Sequence, residues 1–234
     1  MEKQHEMEIV KQAFLLLDKE ELTDAIVDEV FGLLAKVFDE DRLEQIQKGF
    51  EAGLTPEQVS VYAKPEFTYD QMNEMCWGFK HGLSMEQVSV YAKPEFTGEQ
   101  MDEIRWGFQD EFTMEQVSVY AKPEFTGFQM EQIRLGFEKG LSMEQVEVFA
   151  RQEFTDSQME EIRLGFEHGL TPEQVAMFAK PELTAEQMEE LREGFEQKLR
   201  KSSLAEKIMA AKKEQGQAVS KEPQKSRGNE ELAR

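Results

Sequence analysis

The sequence has only one cysteine, Cys76, so a disulfide within the chain is excluded. This cysteine usage fits a reducing compartment. No stretch approaches the roughly 18 consecutive apolar residues of a membrane-spanning helix. The first fourteen residues are polar and acidic, without the apolar region of a signal peptide. We therefore expect a cytoplasmic protein that does not enter a membrane.

Residue patterns typical of catalytic, phosphate-binding or metal-binding sites are also scarce. The three histidines, His5, His81 and His168, are far apart in sequence, and Cys76 has no HxE or CxxC context, which argues against a metal site or a reactive thiol. There is no glycine-rich phosphate loop, GxSxG motif or calcium-loop pattern. The many carboxylates recur at equivalent positions, whereas a catalytic acid–base pair would differ from its surroundings in one place. We predict a non-enzymatic protein without a cofactor or metal.

Basic residues are few over most of the chain. The net charge is −21, but residues 198–234 contain ten Lys or Arg and five Asp or Glu, so residues 1–197 carry −26. Such an acidic body repels phosphate groups and anionic membranes and attracts basic partners. It also keeps an elongated protein soluble. Direct nucleic-acid binding is therefore not expected.

What the sequence has in abundance is repetition with a period of 29 residues. The aromatic residue of the YAKPEF motif recurs at Tyr62, Tyr91, Tyr120, Phe149 and Phe178, and a Gly-Phe pair begins at Gly49, Gly78, Gly107, Gly136, Gly165 and Gly194. A fixed period of about 20–50 residues is typical of repeat architectures. The pattern predicts five units at 54–82, 83–111, 112–140, 141–169 and 170–198.

Each unit reads as two helices. In the first unit, Thr55 begins a capping box and the short helix runs to Lys64, where Pro65 stops it. Thr68 begins a second capping box and a helix of about twelve residues. We expect the apolar residues of both helices and of the turns to be buried between units. These are Leu54, Val59, Tyr62, Ala63, Phe67, Met72, Met75 and Phe79.

Two positions in the units indicate special backbone requirements. Gly78 lies inside the second helix, where glycine costs about 1 kcal/mol relative to alanine. Its recurrence suggests close helix–helix approach with no room for a Cβ, or else a kink. At the end of this helix a glycine normally follows, but Asp110 and Glu111 replace the usual His/Lys-Gly pair.

These patterns predict an all-α fold, a right-handed αα-superhelical solenoid of 29-residue two-helix repeats with an N-terminal helical cap. Residues 1–38 form a helical hairpin, with Thr23 as an N-cap, that either caps the stack or forms a homodimer contact. Residues 39–198 form the repeat array, with a half repeat at 39–53. Residues 199–234 form a helix extension followed, from about Lys212, by a disordered basic tail.

Charged residues recur on the polar faces of the units. With the glutamates they could form ladders of alternating sign between stacked units, either as salt bridges of about 0–1 kcal/mol each or as a groove that grips an extended peptide. The candidate residues are Lys64, Lys93, Lys122, Lys180, Arg105, Arg134, Arg163, Arg192, Glu66, Glu95 and Glu124.

The repeat, written YAKPEFTxxQMxEIRxGFExGLSxEQV, resembles a helical repeat in uncharacterised bacterial proteins of gut-dwelling Firmicutes. The resemblance covers about residues 40–198. It implies an αα-repeat surface and brings no catalytic residues with it.

Three functional hypotheses follow from these observations. The first is a scaffold that binds a protein or peptide, with a basic segment as the partner that the charge favours. The second is an acidic mimic of nucleic acid that occupies a DNA-binding protein, which requires the carboxylates on one continuous face. The third is a structural or self-assembling spacer.

Overall fold

A computed structural model describes residues 2–17 and 23–219 of the chain. Within these ranges the protein is all-α, as predicted, and no helix there is long and apolar enough to cross a membrane. The helices are α1 (Glu2–Leu17), α2 (Asp24–Leu34), α3 (Glu40–Glu51), α4 (Pro56–Tyr62), α5 (Tyr69–Lys80), α6 (Met85–Tyr91), α7 (Gly98–Gln109), α8 (Met114–Tyr120), α9 (Gly127–Glu138), α10 (Met143–Phe149), α11 (Asp156–Glu167), α12 (Pro172–Val175) and α13 (Ala185–Val219).

The helices pack in chain order. Each long helix contacts the long helix before and after it, in the order α3, α5, α7, α9, α11 and α13, and the short helices lie against them. Helices α1 and α2 pack against each other, and α1 also contacts α4. Thr23 is at the N-cap of α2, but its side chain makes no capping hydrogen bond. Helix α2 ends at Leu34 and is followed by a turn, so it ends four residues before the end of the predicted hairpin at residue 38.

The core is formed by the repeated apolar positions, and the prediction of its members is confirmed. In the first unit all the predicted residues are buried: Leu54, Val59, Tyr62, Ala63, Phe67, Met72, Met75 and Phe79. The equivalent residues in the next units are buried in the same way, for example Val88, Tyr91, Phe96 and Met101. Burial of this kind is what stabilises helices too short to persist alone in water.

The capping boxes are confirmed, and the glutamine in each has a second role. Thr68 accepts a hydrogen bond from the backbone of Gln71, whose Oε1 accepts one from the backbone of Thr68. The Nε2 of Gln71 donates to the carbonyl oxygens of Pro94 (3.2 Å) and Phe96 (2.5 Å) in the following unit. One side chain thus caps its own helix and satisfies the backbone of the next turn.

The same contact recurs along the array. Gln100, Gln129 and Gln158 each donate to the carbonyl 25 residues later, at distances of 2.5–2.6 Å. In the half repeat the donor is Arg42, whose Nη1 lies 3.3 Å from the carbonyl oxygen of Pro65 and 3.4 Å from that of Phe67. These buried and partly buried hydrogen bonds set the register between successive units.

Four short helices, α4, α6, α8 and α10, end two residues earlier than predicted, and proline is not the cause. The short helix α12 ends earlier still, at Val175. Helix α4 ends at Tyr62, and Ala63 (φ −73°, ψ 65°) forms an inverse γ-turn in which the Lys64 amide donates to the Tyr62 carbonyl at 2.7 Å. Ala150 adopts the same turn (φ −71°, ψ 60°), although Arg151-Gln152 stands there in place of Lys-Pro. The alanine turn therefore ends these helices with or without proline.

The recurrent glycine inside each long helix is explained by the side chain that faces it. A Cβ on Gly49, Gly78 or Gly107 would overlap the hydroxyl oxygen of Tyr62, Tyr91 or Tyr120, respectively. A Cβ on Gly136 or Gly165 would lie 2.8 Å from the Cζ of Phe149 or Phe178, the phenylalanines of the last two units. Gly194, which no further unit follows, has nothing within 4 Å of the position that a Cβ would take. Close approach, and not a kink, accounts for the glycine.

The C-terminal helix departs from the prediction in its length. Helix α13 begins as the long helix of the fifth unit and continues without a break to Val219, so the disorder expected from Lys212 does not begin there. The segment after Lys212 is rich in Lys, Glu, Gln and Ala, which are good helix formers. The rest of the predicted tail, residues 220–234, lies outside the described residues.

Candidate functional site: an acidic groove with two tryptophans

The two tryptophans of the chain occupy the same position in successive long helices. In α5 the buried side of the helix carries Met72, Met75 and Phe79, and Trp77 projects from another side. Trp106 is its equivalent in α7. Each tryptophan side chain is 45% exposed, which is a large apolar surface to leave in water.

Both indole rings line one open groove between α5 and α7. Its volume is about 930 Å³, within the range of ligand-binding clefts. Besides the tryptophans, most of the lining residues are polar or charged. The lining residues are Asn73, Glu74, Trp77, His81, Gly82, Leu83, Gln87, Asp102, Arg105, Trp106, Phe108, Gln109 and Asp110.

Arg105 organises the floor of the groove. It is buried, and its Nε donates to Glu74 Oε2 on α5 at 2.8 Å, while Nη1 donates to Gln109 Oε1 at 2.6 Å. Its Nη2 pairs with Asp102. The guanidinium carbon also lies 5.0 Å from the centre of the Trp106 ring. Arg105 thereby fixes one tryptophan wall and two carboxylates of the groove.

The other wall is held from within α5. The His81 ring stacks on Trp77 with 4.8 Å between ring centres and an angle of 9°, and its Nδ1 lies 2.9 Å from the Trp77 carbonyl oxygen. Lys80 Nζ lies 5.8 Å from the centre of the Trp77 ring. Both tryptophans are therefore held by neighbours on their own helices.

The groove carries excess negative charge. Among the lining residues Glu74, Asp102 and Asp110 outnumber Arg105, which gives a formal charge of −2 with His81 neutral. Arg134, which lies outside the lining, is 3.4 Å from Asp110 and offsets part of this charge. Burial raises the pKa of Glu74 above its usual value, although the adjacent Arg105 acts in the opposite direction. The ionised form of Glu74 is thus incompletely compensated, so a further cation in the groove would be favoured.

The predicted ladder divides into two sets in the structure, and the arginines form the first. Each arginine Nε contacts the preceding long helix at a residue 31 positions earlier: Arg105 to Glu74 (2.8 Å), Arg134 to Glu103 (2.7 Å), Arg163 to Gln132 (3.1 Å) and Arg192 to Glu161 (2.7 Å). Their partners are these residues and not Glu66 and its equivalents. Arg105, Arg163 and Arg192 are buried, so these three act within the chain.

The lysines and the Glu66 class form the second set, at the turns between short and long helices. Lys64, Lys93 and Lys122 lie 5.7–5.9 Å from the rings of Phe67, Phe96 and Phe125. Except for the half-buried Lys64, the set is exposed: Lys93, Lys122, Lys180, Glu66, Glu95 and Glu124. The structure therefore does not bring these residues together with the arginines.

Within residues 2–17 and 23–219, no group of three or more His, Cys, Asp or Glu side chains is arranged to hold a metal ion. Cys76 is buried, and burial raises the pKa of its thiol. Its neighbour Tyr62 also has a raised pKa because of burial. The neutral thiol therefore behaves as part of the core.

The groove was not identified from the sequence. The available signal was the helical register, because Trp77 lies off the stripe formed by Met72, Met75 and Phe79. Two tryptophans 29 residues apart and outside the apolar stripe indicate a shared exposed surface.

Comparisons with known proteins assign the chain to no family. No family model matches the chain, and neither the curated proteins nor the solved structures contain a match.

Proposed function

We propose that this protein is a non-enzymatic scaffold that binds a basic peptide segment of a partner in the groove between α5 and α7. The observation that carries the proposal is the placement of two half-exposed tryptophans on adjacent helices over a groove of formal charge −2. Tryptophan faces attract Lys and Arg side chains, and their apolar surface accommodates the aliphatic stems.

The proposal includes the architecture that presents the groove. The helix pairs recur every 29 residues and pack in chain order, which favours an αα solenoid. In this arrangement α1 and α2 form the N-terminal cap. Arg42, in the half repeat, donates a hydrogen bond to the Pro65 carbonyl oxygen in the first full unit. The repeat likewise favours placing the chain with the bacterial helical-repeat proteins that its YAKPEF and IRxGF motifs resemble. In such an array the floor is rigid and the groove is formed before the partner arrives.

Peptide binding is favoured over mimicry of nucleic acid. A mimic needs regularly spaced carboxylates, whereas aromatic walls contribute nothing to replacing phosphate groups. Here the arginine row forms ion pairs with Glu74, Glu103 and Glu161, and the distinctive exposed residues are aromatic. The groove therefore matches a partner that is both cationic and apolar.

The experiment is a calorimetric titration of the full chain with an amphipathic lysine–leucine peptide and with a matched glutamate–leucine peptide. We expect saturable, salt-sensitive binding of the lysine peptide alone. Trp77→Ala/Trp106→Ala should weaken it at least about tenfold, corresponding to about 1.4 kcal/mol. Met177→Ala, which removes another exposed apolar side chain (58% exposed), is the control. Equal binding of both peptides, or an unaffected tryptophan variant, would overturn the proposal.

A further inference from the structure

Helix α13 extends well beyond the helices it packs against. Met188, Arg192 and Glu196 are buried, and these residues lie along the part of α13 that contacts α11. Beyond Ser203 the described side chains are exposed, including Leu204 (60%), Met209 (71%) and Ile208 (47%). We call residues 198–212 the α13 extension.

The α13 extension has the positive charge and the exposed apolar side chains that complement the groove. It carries five basic residues, Lys198, Arg200, Lys201, Lys207 and Lys212, against one acidic residue, Glu206, a formal charge of +4. Its exposed apolar residues are Leu199, Leu204, Ile208 and Met209. A helix of about 15 residues is marginal in water by itself, so a surface that covers these apolar side chains would stabilise it.

The charge of the extension also differs from that of the body. Residues 1–197 carry −26, whereas the α13 extension has a positive balance. The groove between α5 and α7 has a formal charge of −2 and is lined by two indole rings. Charge and apolar surface are thus complementary between two parts of the same chain.

The contact cannot form within one chain. Helix α13 is continuous from Ala185 to Val219, and it packs against α11. The groove lies between α5 and α7, with α9 and α11 intervening in the packing order. To reach its own groove, the α13 extension would have to leave the continuous helix and pass α9 and α11. A second copy can approach without such a change.

We propose, on the basis of the proposed function of the groove, that the α13 extension of one copy occupies the α5–α7 groove of a second copy. The lysine and arginine side chains meet the carboxylates, and the apolar residues cover the tryptophans. Because the two surfaces are different, the contact is heterologous, and repeated association gives an open chain or a closed ring.

The test is sedimentation velocity of the full chain over a range of concentrations, with two complementary variants. Trp77→Ala/Trp106→Ala alters only the groove, and Lys201→Glu/Lys207→Glu alters only the extension. All four side chains are exposed, so circular dichroism and thermal unfolding should match those of the unaltered chain. We expect the unaltered chain to associate reversibly and less at high salt.

Each variant alone should sediment as a monomer. Mixed in equal amounts, they should form a dimer that does not grow, since the groove variant supplies an intact extension and the extension variant an intact groove. A monomeric mixture, or a variant that still assembles like the unaltered chain, overturns the proposal.

The calorimetric titration separates this inference from the function on which it rests. If the unaltered chain is monomeric at every concentration but binds the lysine–leucine peptide through its tryptophans, the self-association is wrong and peptide binding stands. If it neither associates nor binds the peptide, both proposals fail.

Discussion

The hydroxyl oxygen of Tyr91 occupies the space that a Cβ on Gly78 would fill. Tyr91 is fully buried, and its hydroxyl group has no hydrogen-bond partner among the described residues; the hydroxyl of Tyr62 is in the same situation. An unpaired buried hydroxyl costs about 1–3 kcal/mol. The glycine thus leaves room for a hydroxyl group whose burial does not stabilise the fold.

The Gly78–Tyr91 pair predicts compensation between two substitutions. Gly78→Ala should lower the free energy of unfolding by about 1–3 kcal/mol because the new methyl group overlaps the hydroxyl. Gly78→Ala/Tyr91→Phe should recover most of this loss, since the Tyr91 Cζ would lie 3.5 Å from the methyl group. Tyr91→Phe alone should be neutral or stabilising. Urea unfolding of the three variants measures the coupling.

Gly194→Ala is the matched control for this cycle. It stands at the same repeat position, but nothing lies within 4 Å of its added methyl group, so it should stabilise the helix by up to about 1 kcal/mol. If Gly78→Ala were as harmless as Gly194→Ala, the close contact would not explain the recurrent glycine.

Replacing Gln100 by Glu should destabilise the junction between units. A carboxylate can still accept the capping hydrogen bond from Thr97, but it cannot donate to the carbonyl oxygens of Pro123 and Phe125. The expected loss is about 1–3 kcal/mol in urea unfolding. Gln187→Glu is the control, because Gln187 forms the same capping box at an exposed site; it should be neutral. Equal losses would show that capping alone matters.

Glu111→Gly should stabilise the protein. Glu111 has φ of 63°, whereas the equivalent junctions have glycines such as Gly140, with φ of 81°. Relief of left-handed strain, about 1–2 kcal/mol, exceeds the extra unfolded-state entropy of glycine, about 0.5–1 kcal/mol. Thermal unfolding should show a higher Tm, and Gly140→Glu a lower one. A lower Tm for Glu111→Gly would contradict this interpretation.

The contribution of Glu196 to the stability of the fold should be lost at acidic pH. Burial would raise the pKa of Glu196, but hydrogen bonds from His168 (2.8 Å) and Arg192 (2.6 Å) outweigh it and hold that pKa below its usual value. A carboxyl group with a lowered pKa stabilises the fold above its unfolded pKa, and this stabilisation disappears as the pH falls through the folded value. The Tm difference between the unaltered chain and Glu196→Gln should therefore shrink as the pH falls below the unfolded pKa of a glutamate, about 4.3. A constant difference would contradict the assignment.

The local structure could be predicted from the sequence because the repeat displays each signal several times. The capping boxes at Thr55 and Thr68, the buried positions and the twelve-residue long helices all follow from local residue types. Contacts between units could not be predicted in the same way. The step of 31 residues from Glu74 to Arg105 depends on how far successive long helices are offset. The groove could not be predicted for the same reason, because Trp77 and Trp106 line one surface only when the helices are packed.

The most direct test of the binding site uses the fact that both tryptophans of the chain line the groove. In a nitrogen-15 NMR spectrum of the full chain, their indole N–H groups give two signals, which Trp77→Phe and Trp106→Phe assign. Titration with the lysine–leucine peptide should move both signals together and saturably, whereas the glutamate–leucine peptide should leave them in place. If the lysine peptide binds and neither indole signal moves, the groove is not its binding site and the proposed function is wrong.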